Sequence, residues 1–244
     1  MTGHFKTTIA AALAIAAGTF STQAALAGST AVKGVVELFT SQGCSSCPPA
    51  DKVLESLAKR KDVVMLGYHA DYWDYLGWKD SLGSPDNTAR QYAYRRSLGS
   101  SSVYTPQAVL NGAAHANGGD ARSVEKALKE PLPIQLGVSE NASSVLITIP
   151  TAAVADQHVQ AVMVRYGADR TVAVERGENR GRSLHYVNPV VSIQTLGMWH
   201  GEARELELPN DAVYGDGGDG CAVLLQVIKE DGSPGRILGA VQID

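Results

Sequence analysis

Residues 35–51 read VVELFTSQGCSSCPPAD, and this stretch decides how the rest of the chain is read. Residues 35–40 (VVELFT) form a short β-rich run, and Ser41-Gln42-Gly43 breaks it. From Ala50 the apolar residues are Ala50, Val53, Leu54, Leu57 and Ala58, the i, i+3, i+4, i+7, i+8 stripe of an amphipathic helix. Cys44 and Cys47 therefore fall where a strand gives way to a helix. Pro48 and Pro49 lie in the first helical turn, where a missing N–H costs little. At a helix N-terminus, unpaired N–H groups and the dipole stabilise a thiolate. The thiolate is the form that attacks disulfides. The spacing lets one thiol resolve a mixed disulfide made by the other, with Cys44 as nucleophile and Cys47 as resolving thiol. A zinc site wants four ligands. The chain offers no second C-x-x-C and no paired histidines, so neither metal nor cofactor is expected.

Working outward, residues 63–68 form a second strand. Ser84-Pro85-Asp86 has the chemistry of a helix start, with a capping Ser, an early Pro and an acid near the dipole, and Gly99 closes that helix. Residues 108–110 are a third strand, and Asn111-Gly112 is a hairpin turn. Asp120 caps a last helix through Leu128, which Pro131 stops. The order is β-α-β-α-β-β-α. Beyond Pro131 strand follows strand, at 134–138, 145–149, 159–166, 171–174, 186–194, 203–208, 222–228 and 237–243. That rhythm suggests an antiparallel sandwich. The expected organisation is an α/β domain over 28–131 and a β-rich domain over 132–244. Upstream, Lys6, the apolar run 9–17 and Ala25-Leu26-Ala27 have the order of a secretory leader, expected over 1–27. The site of action is then periplasmic or secreted.

A strand, a C-x-x-C on a helix, Thr105-Pro106 entering a hairpin closed by Asn111-Gly112, and a final helix together resemble the thioredoxin superfamily. VVELFTSQGCSSCPPAD, HADYWDYLGWKD, VYTPQAVLNG and GENRGR resemble, more closely, a family of secreted bacterial thioredoxin-like proteins catalogued as a domain of unknown function. The resemblance implies a fold, an α/β thioredoxin-like domain followed by an antiparallel β-rich sandwich-like domain. It also implies a cis Pro106 against the dithiol, with the Thr105 backbone exposed to pair with a substrate peptide. The chain departs from ordinary thioredoxins in its Ser45-Ser46 dipeptide and in the long stretch between Cys47 and Pro106. Thioredoxins also carry a buried acid beneath the dithiol, for which the candidate is Glu37. Glu37 shares a strand face with Val35 and Phe39, and is either a proton acceptor for Cys47 or a salt-bridged structural residue.

Residues 68–78 (YHADYWDYLGW) follow the second strand. In open α/β sheets, ligands bind outside the carboxyl ends of parallel strands, which brings this loop beside the cysteines. Trp73, Tyr75 and Trp78 then line a groove for a partner protein or fill a small aromatic core, and His69 and Asp71 can hydrogen-bond near the dithiol. Residues 175–182 (ERGENRGR) read as a charged turn, either solvated or part of an interdomain salt-bridge cluster, 215–220 (GDGGDG) as a flexible loop, and Cys221 as a buried small hydrophobe. A net charge of −4 gains nothing from a phosphate backbone, so nucleic acid is not an expected partner. No stable membrane insertion is expected once the leader is removed. The expected partners are protein thiols and disulfides, or a redox partner protein. The leading expectation is an exported thiol–disulfide oxidoreductase. The alternatives are a binding scaffold with a structural disulfide, and a copper-handling module completed by His69, Met65 or Met163.

Overall fold

The computed structural model describes residues 31–155, 157–215 and 219–243. The expected leader over 1–27 lies outside them, as do residues 216–218 of the GDGGDG loop. Among the described residues no helix is long and apolar enough to cross a membrane.

The chain opens with β1 (Gly34–Thr40), α1 (Pro48–Ala58), β2 (Val63–His69), a short 3-10 turn at Asp74–Leu76, α2 (Pro85–Leu98), β3 (Gln107–Leu110), β4 (Ala114–Asn117) and α3 (Ala121–Ala127). These strands form a four-stranded sheet in the order β2-β1-β3-β4, with β1 and β2 parallel and the other pairs antiparallel. Each helix begins where local chemistry allows. The Ser84 side chain accepts from Asn87 N at 3.1 Å, and Asp120 accepts from Arg122 N and Ser123 N. Asn111 and Gly112 both take positive φ, at 51° and 62°. A side chain at Gly112 would meet Gly235 O at 2.2 Å, so this turn requires glycine for space as well as conformation.

The remaining elements are β5 (Ile134–Gln135), β6 (Gly137–Glu140), β7 (Ser144–Ile149), β8 (His158–Tyr166), β9 (Arg170–Ala173), β10 (Ser183–Tyr186), β11 (Val190–Trp199), β12 (Arg204–Pro209), α4 (Asn210–Tyr214), β13 (Gly220–Ile228) and β14 (Pro234–Ile243). They build a five-stranded sheet (β11-β8-β13-β14-β5), a three-stranded sheet (β12-β7-β6) and the β9–β10 hairpin. The run expected over 186–194 splits at Val187-Asn188-Pro189. Asn188 has φ 44°, and Pro189 cannot donate to a ladder.

The expected fold class, an α/β thioredoxin-like domain followed by an antiparallel sandwich-like domain, is corrected by the structure. Among the described residues the fold is mostly β, with 42% strand against 19% helix, and it has several mixed and antiparallel sheets. The five-stranded sheet is itself mixed, because β14 and β5 run parallel. The physical reason lies in what covers β1. Val36 and Leu38 pack with Ala50, Leu54 and Leu57 of α1 and Val124 of α3. On the opposite face, Val35 and Phe39 share a core with Tyr94 of α2 and with Val162, Val164, Ala222, Leu224 and Ile237 of the five-stranded sheet. A strand buried on both faces reads the same in sequence whether a helix or a second sheet covers it.

Candidate functional site

Thr40 and His69 are register partners at the carboxyl ends of β1 and β2. The dithiol loop leaves the first strand and the aromatic segment leaves the second, so the two lie side by side. Cys44 and Cys47 form a disulfide with Cα atoms 5.4 Å apart. Cys47 is the N-cap of α1, and Pro48 and Pro49 occupy its first two positions. The Cys47 carbonyl already accepts from Ala50 N at 2.8 Å and Asp51 N at 3.1 Å. Both cysteines are buried, at 1% and 0% exposure, rather than one being open as expected of a nucleophile. Ser45 and Ser46 between them face solvent, and Ser46 Oγ lies 3.4 Å from Cys44 Sγ.

The Thr105–Pro106 bond is cis. A side chain at Gly118 would approach Ala50 Cβ at 3.1 Å and Pro106 Cβ at 3.5 Å, which locates the proline beside the first turns of α1. Trp73 joins the two loops. Its indole N–H donates to Thr105 Oγ1 at 2.8 Å, and its Cβ lies 3.0 Å from where a Gly43 side chain would stand. Trp78 donates to Gln42 Oε1 at 2.9 Å and packs on the small cluster of Val174, Leu184 and Tyr186. Tyr75 is 79% exposed and belongs to neither contact.

Glu37 does not come to the dithiol. It points to the sheet–sheet side of β1, where Oε1 accepts from Arg90 Nε at 2.6 Å and Oε2 accepts from the Tyr94 hydroxyl. Gln226 of β13 completes this buried group, donating to the Tyr94 hydroxyl at 2.7 Å and accepting from Arg90 at 3.0 Å. Of its two sequence readings, the salt-bridged one describes these contacts.

The acid on the dithiol side is Asp51. It stands four residues after Cys47 in α1, so both side chains share one helix face and Asp51 tilts back toward the first turn. Asp51 is buried, and its Oδ1 accepts from Thr40 Oγ1 at 2.7 Å. Its Oδ2 has no hydrogen-bond partner among the described residues. Burial pushes the Asp51 carboxyl up to about 7, against the opposing pull of Thr40, His69 and Arg182. Beside it, buried His69 places Nδ1 2.9 Å from Asp80 Oδ2, with its ring edge-on to Tyr186 at 4.5 Å. Burial works against the Asp80 carboxylate. The His69 imidazole and the N–H groups of Gln42 and Leu82 outweigh it and hold Asp80 below the usual carboxylate range.

The loop between β9 and β10 closes the arrangement. Asn179 is fully buried. Its amide donates to Gln42 O at 3.0 Å and Cys44 O at 2.9 Å, and its Oδ1 accepts from Arg182 at 2.8 Å. Glu178 Oε2 accepts from Ser45 N at 3.3 Å. The segment read as a solvated turn is thus bonded to the dithiol loop.

The structure gathers Cys44, Cys47, Trp73, Trp78, His69, Thr105 and Pro106 at one end of the sheet. Sequence reasoning passed over Asp51, Asp80 and Asn179. Only Asp51 had a usable signal, its i+4 spacing from Cys47. Of the residues offered to complete a copper site, His69 lies at this end of the sheet, whereas Met65 and Met163 sit in different core clusters. Among the described residues no three His, Cys, Asp or Glu side chains group around a possible metal position.

The family model described as Protein of unknown function (DUF1223) matches residues 35–226. A crystal structure of protein AGR_C_4864 from Agrobacterium tumefaciens is similar at 41% identity and a TM-score of 0.79, covering 88% of this chain and 96% of that one. HBP35 of Porphyromonas gingivalis shares a likeness of fold at 15% identity and a TM-score of 0.52, over 88% of this chain and 76% of that one. No curated protein matches the chain.

Proposed function

The chain belongs to the family Protein of unknown function (DUF1223), and from the site itself we propose that it exchanges thiols and disulfides through Cys44 and Cys47, in the manner of thioredoxin-like dithiols. The observation that carries this reading is Asp51, a buried carboxyl one helical turn from Cys47 with an unpartnered oxygen. A buried polar atom left unpaired costs about 1–3 kcal/mol. A disulfide that only ties the loop gains nothing from such a group. A disulfide that opens and closes beneath a protein surface needs a proton acceptor and donor there.

In the direction that reduces the protein, a substrate thiolate attacks Cys44 Sγ and the bond to Cys47 breaks. Cys47 leaves as a thiolate and takes a proton from protonated Asp51. A second substrate thiolate then attacks the substrate sulfur of the mixed disulfide and expels the Cys44 thiolate. Two substrate thiols become one disulfide, and the protein becomes a dithiol. The reverse sequence starts from Asp51 as carboxylate, accepting the Cys47 proton. Trp73, held to Thr105 and standing against Gly43 beside Cys44, offers an aromatic contact suited to a protein thiol as substrate. Action outside the cytoplasm is supported by the leader pattern over 1–27 and by the disulfide, since such bonds persist in oxidising compartments.

The test is trapping. A Cys47→Ser variant given a peptide disulfide should accumulate one mixed disulfide at Cys44, visible as an added peptide mass, and Cys44→Ser should give none. No adduct on Cys47→Ser would overturn the proposal. The burial of both sulfurs favours a second reading, in which the disulfide is structural and the surrounding surface serves a partner. Absence of adducts together with a disulfide that resists reduction would support it.

A further inference from the structure

The loop 175–182 has one buried side chain inside the site. Glu175, Arg176, Glu178, Arg180, Gly181 and Arg182 are exposed, whereas Asn179 has no exposure at all. Within the loop, Asn179 is flanked by Gly177 and Gly181 at φ 74° and 80°. It closes on itself through Gly181 N to Val174 O at 2.8 Å and Arg182 N to Asn179 O at 3.1 Å. A segment with few apolar contacts and an exposed backbone opens locally at small free-energy cost. What ties this one down is the Asn179 amide, whose two donors are both spent on the carbonyls of Gln42 and Cys44. Arg182 fixes which end of the amide faces them. Glu178 adds a contact from solvent to Ser45 N.

Resting on the exchange reading above, we infer that Asn179 is a latch. The β9–β10 loop holds Cys44 shut in both redox states, and it must lift before a thiol or disulfide can reach the sulfur. Asn179 touches no reacting atom. It is a positioning residue that acts through the Cys44 carbonyl, and its primary amide presents the donors that a polypeptide backbone presents. A polypeptide substrate can therefore take over both carbonyls as the loop leaves, which a small thiol cannot do.

The two states make the latch testable by rates in both directions. The full-length protein is reduced by dithiothreitol and reoxidised by oxidised glutathione, and the Cys44/Cys47 state is followed by alkylation and mass. Asn179→Ala removes two neutral hydrogen bonds, so both rates should rise by about tenfold to thirtyfold. The ratio of the two rates should stay the same, because a latch present in both states does not bias the equilibrium. Arg182→Gln leaves Asn179 in place but frees its orientation, and should raise both rates by about threefold. It serves as the readout should Asn179→Ala fail to fold. Rates within twofold of wild type in the folded variants would overturn the latch while leaving exchange intact. So would a change confined to the equilibrium, which marks a structural role in one state. If dithiothreitol in excess reduces neither wild type nor variants, the exchange reading fails and the latch falls with it.

Discussion

Two buried carboxyl groups, Glu37 within β1 and Asp51 on α1, pack against the same small sheet and differ in how they are partnered. Glu37, on the sheet–sheet side of β1, has both oxygens occupied, by Arg90 and by Tyr94. Asp51, at the carboxyl end of the same sheet, has one oxygen on Thr40 and the other bare. The first group is closed, and Gln226 extends it into the second sheet, so it joins the two halves of the core. The second is open, lies one turn from a disulfide and is faced by His69, Asp80, Arg182 and Tyr186. A satisfied buried charge specifies a fold, and an unsatisfied one asks for a chemical reason.

This contrast can be broken most directly at Glu37. Glu37→Ala strands the Arg90 guanidinium in the core, and should cost about 3–5 kcal/mol in chemical denaturation. Exchange per folded molecule should stay at the wild-type rate. A loss of exchange in the folded fraction would mean that the two groups are not separate.

Asp51 has the opposite signature. Its folded-state pKa of about 7 lies above the ordinary 3.8. The native state therefore binds its proton more tightly than the unfolded chain does. The stability this group contributes is fully present below about pH 3.8 and is lost as pH rises through about 7. At about 1.4 kcal/mol per pKa unit, the swing is at most on the order of 4 kcal/mol. Asp51→Asn removes it, so urea denaturation should show the variant gaining on wild type between pH 4 and pH 8. Parallel profiles would show that Asp51 is not held in its protonated form. The smallest expected effect is at Trp73. Trp73→Phe loses one hydrogen bond to Thr105, about 1 kcal/mol of stability by denaturation. It should slow exchange with a peptide more than with dithiothreitol.

Much of the site's frame was legible in the chain. The break at Ser41-Gln42-Gly43 and the apolar stripe from Ala50 put the cysteines at a strand–helix junction. Asn111-Gly112, Ser84 and Asp120 declare their turn and caps through side-chain chemistry that acts locally. What stayed hidden depends on long-range packing. Val35 and Phe39 signal a second buried face but not the sheet that covers it, so the fold class went astray. Asp51 in PPAD looks like any acid favoured by a helix dipole, and only the burial around it sets it apart. Asn179 sits in a run of charged and glycine residues whose composition is that of a solvated turn. Its partners, Gln42 and Cys44, are more than a hundred residues away.

On the exchange reading, Cys44 and Cys47 cycle between disulfide and dithiol. A redox titration against glutathione, with thiols trapped by alkylation and counted by mass, tests it most directly. The expected result is equilibration of the pair between about −120 and −270 mV, the span of exchange-competent dithiols. A disulfide still intact below about −300 mV is the behaviour of a structural bridge, and would contradict it.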